Sequence, residues 1–190
     1  MRKVILNLAV SLDGFIEGPH GEIDWCIFDD EVADELNRFI SNVDTILYGR
    51  KSYELFGNYV PGSDGDESEK AFYEKVGQMK KYVFSTTLQE AKANDSLVRD
   101  QIAAQVQQIK QGDGKDIWLF GGAGLITSFI NLNLIDEYQI GLHPVVLGGG
   151  LPLFRDIRER INLNLVQSKA FRSGMTLLYY HPKDTEVSAA

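Results

Sequence analysis

Residues 116–130 read DIWLFGGAGLITSFI. Asp116 to Phe120 is a short run apolar enough for a strand buried on both faces. Gly121-Gly122-Ala123-Gly124 follows, and then Leu125, Phe129 and Ile130 recur at helical spacing. A buried strand that turns through glycines straight into a helix is the building unit of a layered α/β sheet. Glycines there let backbone N–H groups approach a ligand, and the helix N-terminus adds a positive dipole that suits phosphate. The same glycines also serve tight strand-on-helix packing with no ligand, and this stretch alone leaves both uses open. It is not the Rossmann fingerprint: reading Gly122-x-Gly124, the third small position falls on Thr127, and no acid ends the next strand where the ribose partner belongs.

The unit recurs upstream. Asp44 to Tyr48 (DTILY) reads as a buried strand, and Gly49-Arg50-Lys51-Ser52-Tyr53-Glu54 then opens a helix that ends near Gly57. Arg50 and the first-turn amides can hold an anion together, although a lone Arg more often sits on a solvated helix face. The upstream glycine of a P-loop is missing. Two such junctions in one sheet lie at its carboxyl edge, where open α/β sheets bind ligands.

The remaining pattern fits around them. Val4 to Val10 (VILNLAV) is a buried strand ending in the turn Ser11-Leu12-Asp13-Gly14. Residues 17–24 form a loop, and Asp29 or Asp30 caps a helix through Ile40. Residues 61–70 are the most polar stretch and read as an exposed loop running into a helix near Ala71 to Val76. Strands follow at Lys81 to Ser85, Leu97-Val98 and Glu137 to Leu142, with a helix from Gln101 to Gln111. Residues 163–170 and 175–181 read as an antiparallel pair joined at Ser173-Gly174. The expectation is an α/β, three-layer αβα domain over 1–190. Its central sheet is mixed and mostly parallel with antiparallel C-terminal strands, and its tail, 183–190, is disordered. The glycines of Leu147-Gly148-Gly149-Gly150-Leu151-Pro152-Leu153-Phe154 mark either close approach to a ligand or another chain, or a flexible loop.

Composition narrows the function. Nineteen Lys and Arg against 27 Asp and Glu leave a formal net charge of −8, and no basic run exists to hold nucleic acid. One cysteine, Cys26, excludes an internal disulfide and a Cys-rich metal site; no metal is expected. No apolar run approaches a membrane span and no secretory signal is visible, so a cytoplasmic protein is expected. His20-Gly21-Glu22 matches half of a zinc-deaminase motif whose other half needs two cysteines. His143, before Pro144, reads as structural.

Taken together, these pieces resemble the dihydrofolate reductase superfamily. The nearer branch contains the reductase domain of bacterial riboflavin biosynthesis and its stand-alone relatives. The carrying residues are Ser11 to Gly14, Tyr48 to Glu54, Phe84-Ser85-Thr86, Phe120 to Gly124, and Pro144 to Phe154, in the family order across nearly the whole chain. The resemblance implies NADPH as cofactor. It places Gly49, Arg50, Lys51 and Ser52 near the 2′-phosphate, and Ser85 and Thr86 beside the adenosine. Gly121, Gly122, Ala123, Gly124 and Leu125 fall at the pyrophosphate, with a cis peptide at Gly121-Gly122, and Ala9 through Gly14 border the nicotinamide. In dihydrofolate reductases a carboxylate a few residues after a Trp contacts the pterin. Trp25 is followed here by Asp29 and Asp30, of which Asp30 has the better spacing and either of which also serves as a helix cap. Asp13 is the other candidate catalytic residue. Phe15 stands where the riboflavin branch has Lys, and Glu17, Glu22 and Asp24 make the loop acidic, which turns the reading away from a ribose phosphate. The resemblance therefore implies an NADPH-dependent oxidoreductase. It would transfer a hydride to a C=N or C=O of a small pterin- or pyrimidine-like molecule, as a homodimer paired through the closing strands and Pro144 to Phe154. The alternative is a nucleotide-binding homodimer without turnover.

Overall fold

The computed structural model describes residues 1–62 and 67–183. Along the chain lie β1 (Val4–Ser11), β2 (Phe15–Glu17), α1 (Asp30–Ser41), β3 (Val43–Gly49), α2 (Arg50–Phe56), α3 (Glu67–Gln78), β4 (Lys80–Phe84) and β5 (Ser96–Val98). Then come α4 (Ile102–Gln111), β6 (Asp116–Gly121), α5 (Ala123–Asn131), β7 (Glu137–His143), β8 (Leu151–Pro152), β9 (Leu163–Ala170) and β10 (Thr176–Pro182).

Eight strands form one sheet in the order β5-β4-β3-β6-β1-β7-β10-β9. From β5 to β7 every pairing is parallel, while β10 runs antiparallel to both β7 and β9. The sheet is mixed and mostly parallel with antiparallel C-terminal strands, as the pattern predicts.

Helices cover both faces, which is why the central strands read as continuous apolar runs rather than alternating ones. On one face Leu6, Leu47 and Leu119 pack with Val106 and Ile109 of α4 and Ile126, Phe129 and Ile130 of α5. On the other, Ile5, Ile46, Tyr48 and Trp118 pack with Phe39 and Ile40 of α1 and Val76 of α3. Asp29 is the cap of α1, its Oδ1 accepting from the Val32 amide at 2.9 Å, which resolves the choice between Asp29 and Asp30 for that role.

Two expectations change. The helix expected near Ala71 begins at Glu67, inside the polar stretch, because polar residues there decorate a helix start rather than a loop. A second, two-stranded ribbon pairs β2 with β8 and sets Phe15 opposite Pro152. Residues 63–66 of the expected polar loop and 184–190 of the expected tail lie outside the described residues.

Candidate active site

The two strand-to-helix junctions are neighbours, because β3 pairs directly with β6. Gly49 caps α2 and Gly122 caps α5, neither with a side-chain hydrogen bond. Both helix starts therefore carry first-turn amides that their own helix cannot satisfy. The glycines bring the two starts together. A Cβ on Gly49 would stand 3.5 Å from the Gly121 oxygen and from the Gly122 nitrogen, and one on Gly122 would stand 3.0 Å from Ser52 Oγ. Gly121 has φ +104, which favours glycine, and the Gly121–Gly122 peptide is cis. The cradle exists only because side chains are missing from it, and its two positive helix ends fit an extended ligand with several phosphate charges.

The expected cofactor residues fall around this cradle. Arg50 and Lys51 are exposed at the head of α2, with Ser52 half-buried beside them. Arg50 Nη1 lies 3.1 and 3.0 Å from the two carboxylate oxygens of Glu54, one turn on. Ser85 follows β4, and its Oγ accepts from the amides of Thr87 and Leu88 at 3.1 and 2.9 Å, while Thr86 is exposed. Leu125 is placed differently from the expectation. Its side chain is in the core and its amide donates to the Gly122 oxygen at 2.9 Å, so the unpaired amides of the turn are those of Ala123 and Gly124.

At the other end of the edge, Ala9 of β1 pairs with Gly141 of β7, and Ser11 with His143. Gly141 is buried, and a Cβ on it would meet the Leu8 oxygen at 3.5 Å and Met175 Sδ at 3.8 Å.

Asp13 is a clamp. Its Oδ1 accepts from Ser11 Oγ at 2.7 Å and the Leu147 amide at 3.1 Å, and its Oδ2 from the Gly148 amide at 2.7 Å. Burial pulls its pKa up, but the hydrogen bonds from Ser11, Gly148 and Leu147 together hold it below the ordinary carboxylate value. A carboxylate so held is an acceptor at neutral pH. Asp30 is exposed on the first turn of α1, whose buried residues are Val32, Ala33, Phe39 and Ile40.

Two residues emerge that the sequence reading did not place here. His143 is 3% exposed. Its Nδ1 accepts from the Ile27 amide at 3.1 Å, and the Trp25 ring meets it edge-on at 5.5 Å. Burial lowers its pKa, and the donor on Nδ1 leaves the proton of the neutral ring on Nε2. Arg155 lies with Nη2 3.9 Å from where a Cβ on Gly124 would stand. Its segment is fixed along α5: Thr127 Oγ1 donates to the Arg155 oxygen at 3.2 Å and Asn131 Nδ2 to the Asp156 oxygen at 3.1 Å. Among the described residues the Arg155 guanidinium has no ion pair. In sequence Arg155 opens Arg155-Asp156-Ile157-Arg158-Glu159-Arg160, where three arginines alternate with two acids and nothing marks it out.

Among the described residues no cluster of His, Cys, Asp and Glu could hold a metal, and no helix is long and apolar enough to cross a membrane. The chain is 49% identical over 180 residues to protein YyaP of Bacillus subtilis (strain 168), covering 95% of each. Its fold matches a putative riboflavin biosynthesis protein from Shewanella sp. PV-4 with a TM-score of 0.77 at 23% identity, covering 96% of this chain and 99% of that one. It also matches dihydrofolate reductase from Enterococcus faecalis, complexed with NADP(H) and RAB-propyl, with a TM-score of 0.65 at 12% identity over 96% and 97% of the two chains. The model of the RibD C-terminal domain family matches residues 2–177, and the chain belongs to that family.

Proposed function

We propose that this protein is an NADPH-dependent reductase acting on a C=N or C=O of a small planar heterocycle, pterin- or pyrimidine-like. One observation carries the reading: two uncapped helix N-termini abut on adjacent strands through Gly49 and Gly121-Gly122, with Arg50 at one and Arg155 at the other. Membership of a family with a reductase domain supports it, as does the NADP(H) held by a dihydrofolate reductase of this fold.

In this reading Arg50, Lys51 and Ser52 bind the 2′-phosphate, and Ser85 and Thr86 flank the adenosine. The amides of Ala123 and Gly124, with Arg155, hold the pyrophosphate. Ala9 through Gly14, the end of β1 and its exit, border the nicotinamide. When bound, NADPH supplies the hydride. The Asp13 clamp fixes the end of β1 against Leu147 and Gly148, and so sets the wall of the ring site. Asp30, whose carboxylate has no partner among the described residues, passes the proton from solvent. The protein works as a homodimer in the cytoplasm.

Asp13 tied up as an acceptor and Asp30 standing exposed favour one competing reading, a nucleotide-binding homodimer without turnover. Melting curves with NADPH and NADPH oxidation against a panel of pterins and pyrimidines separate the two. A ligand at 100 times its Kd adds about 2.7 kcal/mol, a shift easily seen. No shift at millimolar NADPH overturns the cofactor site. A shift without oxidation of NADPH by any member of the panel leaves the binding protein.

A further inference from the structure

Two lysines of this molecule are almost fully buried, Lys110 at 5% exposure and Lys81 at 4%. Lys110 is neutralised in the ordinary way: its Nζ reaches both carboxylate oxygens of Asp136, at 2.8 and 2.7 Å. Lys81 has no carboxylate partner among the described residues. From β4 its Nζ donates to the carbonyl oxygens of Gly77, at 3.0 Å, and Met79, at 3.4 Å, at the C-terminal end of α3. That helix end offsets part of the charge. Among the described residues it leaves one of three ammonium donors unused and supplies no full counter-charge. A buried ion without a partner is costly, which makes Lys81 a poor purely structural choice where an apolar residue would fit.

Lys81 borders a cavity of about 640 Å³, within the usual size of small-molecule sites. Phe56, Tyr59 and Tyr73 line it, and the rings of Tyr59 and Tyr73 meet at 4.5 Å. Among the described residues Lys70 and Lys92 add further cations to the lining and Asn58 an amide, while Glu74 is the acid. Among the described residues the lining is aromatic with a surplus of cations, on a protein whose net charge is −8.

We infer that this cavity binds a small planar anion, a ring bearing a carboxylate or a phosphate. The anion sits on Lys81 and Lys92, and the ring lies against Phe56, Tyr59 and Tyr73. The requirement for charge comes from Lys81, and the requirement for a ring from the three aromatics. The site is separate from the cofactor cradle: α2 starts at Arg50 in the cradle and ends at Phe56 in this wall. The inference therefore stands whether or not the protein is a reductase.

The test is a titration of the full chain followed by backbone amide shifts. The probes are benzoate and adenosine monophosphate, with benzamide as the neutral ring and inorganic phosphate as the ringless anion. Saturable shifts with one or both anionic rings, centred on Phe56, Tyr73 and Lys81, are expected, and benzamide and phosphate should bind far more weakly. Benzoate alone identifies a ring carboxylate, and the monophosphate alone a nucleotide. Lys81→Met keeps the volume and removes the charge, so it should melt no lower than wild type. It should weaken the bound anion by about 10- to 150-fold, the loss of one hydrogen bond to a charged group. Should that variant fail to fold, Lys92→Gln at the exposed side must weaken the same probe several-fold. The inference is overturned if neither anionic ring binds at millimolar concentration, if phosphate or benzamide binds as well as they do, or if a folded Lys81→Met binds unchanged.

Discussion

Replacing Arg50 with Ala should separate the two nicotinamide cofactors. The guanidinium stands at the head of α2, 3.0 Å from Glu54, in an exposed pair one turn apart. Such a pair contributes about 0.3–0.5 kcal/mol. A hydrogen bond from the guanidinium to a dianionic 2′-phosphate is worth roughly 1.5–3 kcal/mol. If Arg50 leaves Glu54 to reach the phosphate, the difference is about 1–2.7 kcal/mol, or about 5- to 100-fold in Kd. Arg50→Ala should therefore weaken NADPH by that factor and leave NADH, which lacks the phosphate, nearly unchanged. The factor should shrink at high salt, because the site is exposed and screened. Glu54→Gln tests the competition directly. It frees Arg50 and should tighten NADPH by up to about twofold. The assay is the dissociation constant of both cofactors for wild type and both variants, at low and high salt. Equal weakening of NADPH and NADH by Arg50→Ala refutes the reasoning, and so does an unchanged NADPH affinity.

Gly122→Val should fold, since φ at Gly122 is −77 and the nearest obstacle is the movable Ser52 hydroxyl at 3.0 Å, but it should lose NADPH by about tenfold or more. A well-folded variant with wild-type affinity, checked by calorimetry, removes the pyrophosphate assignment. Arg155→Gln should weaken NADPH and NADH alike, by about 10-fold or more, because both carry the pyrophosphate; a loss confined to NADPH would place Arg155 elsewhere. Strand β9 leaves Leu165 and Val166 55% and 57% exposed on the edge of the sheet, so light scattering should show a dimer and Leu165→Lys a monomer. Burial, with Asp24 nearby, pushes the Cys26 thiol up to about 11 from 9.0. The folded state thus keeps a proton that the unfolded chain releases, and stability from this group falls as pH rises from about 9 to 11. At pH 8 alkylation of Cys26 should run about 100-fold slower in the native than in the denatured protein, and comparable rates would contradict its burial.

The central strands were readable because each is covered on two faces, which makes it a short apolar run between turn residues. VILNLAV, DTILY and DIWLF announce themselves this way. The ribbon of β2 and β8 announced nothing. It has three residues against two, and Phe15 meets Pro152 only after the chain has built the sheet between them. The start of α3 was misplaced for a different reason. The polarity of residues 61–70 predicts a loop, yet a helix start tolerates a run of charge when its apolar face, here Phe72 and Val76, comes later.

The same division runs through the site. Each half of the phosphate cradle is written in about ten consecutive residues, because a strand, a glycine and a helix start are all local features. The ring end is assembled from distant pieces. Asp13 takes its role from amides 134 and 135 residues away, and His143 from one 116 residues away. Arg155 reaches Gly124 only because Thr127 and Asn131 hold its segment on α5. On the proposed function, cofactor recognition and substrate recognition are thus stored differently along this chain. A relative can keep both glycine junctions intact and still change everything that lies over Ala9 by altering the segments around Trp25 and Leu147. Those two segments, one tied to β7 through His143 and the other to the end of β1 through Asp13, are where the proposed reading locates a change of substrate that leaves the cradle undisturbed.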